Sequence, residues 1–71
     1  MKDVLKRLKE EYLDISMKCD KLDLFLMERK DKINIHKEYV KLMEDQLELM
    51  FEYRECLYQR IKYICEHMNE D

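Results

Sequence analysis

LKRLKEEYLDISMKCDKLDLFL, residues 5–26, is the stretch on which the fold turns. Leu5, Leu8, Tyr12, Ile15, Cys19, Leu22 and Leu26 recur in it at alternating spacings of three and four. Side chains at those intervals stack along one side of an α-helix, so an amphipathic helix is expected over residues 3–28. Leu13, Met17, Leu24 and Phe25 are expected to widen that face beyond a narrow coiled-coil seam.

Immediately after it, ERKDKINIH (residues 28–36) breaks the pattern. It is charged, and Asn34 between Ile33 and Ile35 tolerates turn geometry. A connector over 29–36 follows, with the two isoleucines expected to tuck back against the helices. Periodicity resumes over 37–68 in two parallel registers. Val40, Met43, Leu47, Met50, Arg54, Leu57, Ile61, Ile64 and Met68 form an almost wholly apolar packing seam. Tyr39, Leu42, Gln46, Leu49, Tyr53, Cys56, Arg60 and Tyr63 form a mixed stripe of aromatic, amide, thiol and guanidinium groups beside it.

One helical partner covers one stripe, so the mixed stripe must meet another protomer or a ligand. At 1.5 Å per residue the second helix is ~48 Å long against ~39 Å for the first, and its overhang would expose further apolar surface. The expected architecture is therefore all-α: a two-helix antiparallel hairpin, one domain over 1–71, assembling into a homo-oligomeric helical bundle.

Composition agrees. The 71 residues contain neither Gly nor Pro, and 44% are charged against 46% hydrophobic, the balance of long helices rather than sheets. The formal net charge of −3 disfavours a generic DNA or anionic-membrane binder. No apolar run approaches the ~18 residues of a membrane span. The opening MKDVLKRLKEE has no apolar run behind it, so a secretory signal is not expected. Cys19, Cys56 and Cys65 show no CxxC spacing and are read as reduced, buried thiols in a cytosolic protein.

Polar residues within the apolar registers carry the functional content. Arg54 interrupts the packing seam and reads most simply as a register-fixing ion pair with a carboxylate of the first helix, the other reading being a ligand contact. Tyr53 and Arg60, seven apart, share a face. A planar guanidinium fork suits phosphate, and a tyrosine ring offers stacking with a hydroxyl at its tip. The pair suits a nucleotide; taken alone, it suits an inter-helix salt bridge better. Lys18 and Lys21 either complement the dipole of the first helix or face a phosphate in a cleft.

Catalysis finds little support. There is no Gly-rich phosphate loop, no nucleophile elbow and no Ser-His-Asp set, and His36 and His67 are isolated. Neither a metal, a cofactor nor an enzyme is expected. A helix-turn-helix is disfavoured too, because the turn lacks glycine and neither helix has a one-sided basic face.

Two segments resemble a known family. Asp14-Ile15-x-x-Lys18-Cys19-x-Lys21-Leu22-x-x-Phe25-Leu26 is similar to the first-helix signature of a family of small phage helical-hairpin proteins. Leu42-Met43-x-x-Gln46-Leu47-x-x-Met50-x-x-Tyr53-x-x-x-Leu57-x-x-Arg60-Ile61 resembles its second-helix signature. That family includes sponges acting against the bacterial immune systems CBASS and Thoeris. The resemblance implies a homo-oligomer, often a hexamer, working in the cytosol of the infected bacterium. It would sequester a cyclic di- or trinucleotide, or a cyclic ADP-ribose-type signal, between protomers without chemistry. Carried over residue by residue, Lys21 and Arg60 would contact phosphates. Tyr53, or Tyr12 of a neighbour, would meet the rest of the ligand, and Lys18 would supply secondary charge. The connector, Glu28 to Lys37, lacks the Phe and Leu anchors of that family, so the ligand stays open. The alternative is an oligomeric hairpin that binds a host or phage protein and no nucleotide.

Overall fold

A computed structural model of the chain describes residues 2–29, apart from the side chain of Arg29, and residues 36–68. The described residues form two helices, α1 (Lys2–Arg29, 28 residues) and α2 (Lys37–His67, 31 residues). Residues 30–35 lie outside the described part, and with them the expected tucking of Ile33 and Ile35. The His36 carbonyl accepts the first bonds of α2, from the Tyr39 and Val40 amides at 3.0 and 3.1 Å. Glu38 in its first turn and His67 in its last complement the helix dipole.

The helices lie antiparallel. Val4 lines one groove with Arg60 and Ile64 at the open end of the hairpin, and Leu26 lines another with Glu44 and Leu47 near the connector. All seven seam positions of α1, from Leu5 to Leu26, are buried or half-buried. So is every packing-seam position of α2 from Val40 to Ile64, and Met68 past the helix end is 37% exposed. Leu8, Ile15, Cys19, Leu57 and Ile64 form the central cluster, with Cys19 and Leu57 the most completely enclosed. Knobs at three-and-four spacing from two facing helices exclude water along a single line, which is why the heptad positions, and few others, are covered.

That narrowness corrects three expectations. Leu13, Met17, Leu24 and Phe25 do not widen the covered face; they are 62%, 58%, 53% and 37% exposed. Among the cysteines only Cys19 is buried, whereas Cys56 and Cys65 are exposed because one lies on the mixed stripe and the other outside the packing seam. The overhang is smaller than expected, since the helices differ by three residues, ~5 Å of axial rise.

The molecule measures 52 × 14 × 13 Å and exposes 6073 Å². A compact monomer of 9.0 kDa would expose about 4,900 Å². A two-helix rod has that excess because, among the described residues, each helix has the other as its one neighbour. No helix among the described residues is long and apolar enough to cross a membrane.

Candidate functional site

Every position of the mixed stripe, from Tyr39 through Tyr63, is exposed. The stripe sits about 90° around α2 from the packing seam, at 100° per residue, so a single antiparallel partner passes beside it.

The ring of Tyr53 leans across the flank of the hairpin, and its hydroxyl donates to the Glu11 carboxylate on α1. Tyr12 lies on the other flank. Its ring faces Tyr58 with centroids 6.4 Å apart and planes tilted by 44°. Glu11 and Tyr12 are neighbours in sequence, but a helix turns about 100° between them, which sends them to opposite edges of the seam. Tyr12 and Tyr53 are therefore not brought together within one protomer.

Arg60 lines an open groove of about 420 Å³ with Val4, Gln59, Tyr63 and Ile64. Val4 and Ile64 make its floor, and Arg60 and Tyr63 stand on the α2 side, three residues apart on one helix face. One turn on, His67 stacks against Tyr63, with centroids 4.4 Å apart and planes 23° from parallel. The imidazole Nδ1 lies 3.2 Å from the Tyr63 carbonyl, which holds the ring in place.

Lys18 shares the flank of Glu11 and pairs with Asp14 at 3.1 Å, an exposed contact one turn away. Lys21 is exposed and points about 60° further from the seam. Lys21 and Arg60 do not meet: Arg60 stands beside Val4, and Lys21 lies 17 residues farther along α1, ~25 Å of axial rise.

Arg54 does not form the expected ion pair. Its guanidinium carbon lies 5.0 Å from the centroid of the Phe51 ring, and no carboxylate among the described residues is within bridging distance. The half-buried guanidinium reaches the edge of the seam and lies over an aromatic face of its own helix. Away from the groove, Lys41 is held above the usual lysine range, first by its hydrogen bond to Asp45 and then by the charge of that carboxylate.

Sequence reasoning placed Arg60 and Tyr63 on one stripe but gave no role to Tyr63, Gln59, Val4 or His67. The Tyr63–His67 spacing of four was a legible signal for a stacked pair. The contribution of Val4 was not legible, because it comes from the other helix.

No curated protein and no solved structure matches the chain. The profile of the family described as Sequestin matches residues 2–63, a span that ends on the last residue of the mixed stripe. By that match, covering nearly all of the described structure, the chain belongs to the Sequestin family.

Proposed function

We propose that this protein is a phage anti-defence sponge that binds a cyclic nucleotide immune signal between protomers in the infected cell and leaves it chemically unchanged. The coarse part of the reading rests on membership of a family whose name denotes sequestration. The finer part rests on one observation. The stripe bearing Tyr53, Arg60 and Tyr63 stays exposed beside α1, the one other helix among the described residues.

Separation of Lys21 from Arg60 supports a site completed by a second copy. α1 has its midpoint near residue 15. A two-fold axis there, relating antiparallel protomers in full overlap, carries the Val4 level of one onto the level of residue 27 of the other. Arg60 of one protomer would then stand within about 10 Å axially of Lys21 in the second, instead of ~25 Å. The extra ~1,200 Å² exposed relative to a compact monomer exceeds the roughly 800 Å² that each partner buries in a standard interface.

Calorimetry against a panel of cyclic di- and trinucleotides and cyclic ADP-ribose isomers tests the reading. Saturable binding to an oligomer is expected, weakening with salt as phosphate contacts do. Arg60→Ala should weaken it at least tenfold, the order of one charge-assisted contact, with the mass of the oligomer unchanged. Absence of heat with the whole panel, from folded protein, overturns the proposal. It would favour the second reading, a hairpin that binds another protein. Leu13, Met17 and Leu24, an exposed apolar row on the back of α1, are the observation behind that reading.

A further inference from the structure

We infer that the groove at the open end of the hairpin is a nucleobase subsite in which Tyr63 stacks on the base while Arg60 takes the adjoining phosphate. This deepens the sequestration proposal and rests on it for the ligand class. Three tyrosines compete for the stacking role, and geometry separates them. The Tyr53 hydroxyl is engaged by Glu11, and the half-buried Tyr12 faces Tyr58. Tyr63 is 57% exposed and shares a groove with a guanidinium.

The surroundings of Tyr63 fit a planar, partly polar, anionic ligand better than a purely apolar side chain. One face of its ring is backed by the His67 imidazole, which fixes the plane and leaves the opposite face for a base. Val4 and Ile64 supply an apolar floor of the kind that meets the edge of a purine. Gln59, whose amide nitrogen donates to Glu55 at 2.7 Å, keeps its carbonyl oxygen as an acceptor for an exocyclic amine. Arg60, one turn before Tyr63, provides the fork for a phosphate at the mouth. An aliphatic peptide side chain would use the apolar floor and waste the cation and the amide. A base attached to a phosphate uses all four groups.

The test uses the intact protein and two probes, adenosine 5′-monophosphate and ribose 5-phosphate, followed by NMR at millimolar concentration. The monophosphate should move the base protons upfield by ring current and shift the Tyr63 ring resonances. Ribose 5-phosphate should perturb Arg60 and leave Tyr63 unmoved. Tyr63→Phe should keep the upfield shift and Tyr63→Leu should abolish it, with helix content unchanged because the side chain is exposed. Against a cyclic nucleotide that the wild type binds, Tyr63→Leu should weaken binding about tenfold or more, the scale of one base stacked on an aromatic ring. A base shift absent from the wild type, or undiminished in Tyr63→Leu, overturns the subsite. So does a cyclic nucleotide that Tyr63→Leu binds as tightly as the wild type, and sequestration itself would then stand. Should the cyclic panel stay silent while the monophosphate still shows a Tyr63-dependent shift, the subsite stands and sequestration of a cyclic signal falls.

Discussion

Leu57 and Ser16 illustrate how little room a two-helix core has. Leu57 is 2% exposed at the centre of the cluster, against Leu8, Ile15, Cys19 and Ile64. Leu57→Ala removes the transfer energy of the side chain and leaves a cavity, about 2–5 kcal/mol in comparable cores. A chain of this length has only about 4–10 kcal/mol to lose. The urea midpoint should fall by half or more; a smaller shift would show that the helices close over the gap. Ser16 is the opposite case, because its hydroxyl is buried without a hydrogen-bond partner. Ser16→Ala removes that desolvated group and improves helix propensity by about 0.5 kcal/mol. A rise of roughly 2–4 °C in the melting temperature is expected, and a fall would place an ordered water on the hydroxyl.

α2 carries two faces whose chemistry differs because their neighbours differ. The packing seam has a helix opposite it and can be aliphatic; the mixed stripe has none and combines tyrosine rings and leucines with amide, thiol and guanidinium groups. Arg54 marks the boundary. A guanidinium at a seam position is tolerated because its stem contributes to packing while its head lies over Phe51. α1 is less balanced, since Leu13, Met17 and Leu24 face outward without a covering element. The excess of apolar surface therefore lies on the back of α1 as well as on the stripe. A bundle would have to cover both, which a single dimer contact on one face does not do.

At the scale of the whole molecule, a rod 52 Å long and two helices thick has a large surface for its volume. If protomers associate as proposed, folding and assembly are linked by mass action. The melting temperature should then climb with protein concentration over two decades, followed by calorimetry alongside light scattering. A melting temperature independent of concentration, with the mass of one protomer, would mean that the rod is stable alone. The expected subunit-spanning site would go with the assembly, because Lys21 and Arg60 are held ~25 Å apart by the length of one hairpin.

By itself, the sequence determined what depends on periodicity: two helices, their facing seams, and the stripe that a single partner leaves open. Three-and-four spacing acts through local geometry that every α-helix shares, so it survives without knowledge of the other chain segment. Tertiary structure decided what depends on the azimuth and axial level at which the helices meet. It put Tyr12 and Tyr53 on opposite flanks and turned Arg54 onto Phe51 instead of a carboxylate. It also left Leu13, Met17, Cys56 and Cys65 uncovered, because two helices touch along one line. Val4 was brought beneath Arg60 and Tyr63 from nearly 60 residues away in the chain. No pattern within either helix encodes that contact, since register between antiparallel rods is set by how their side chains interlock across the gap.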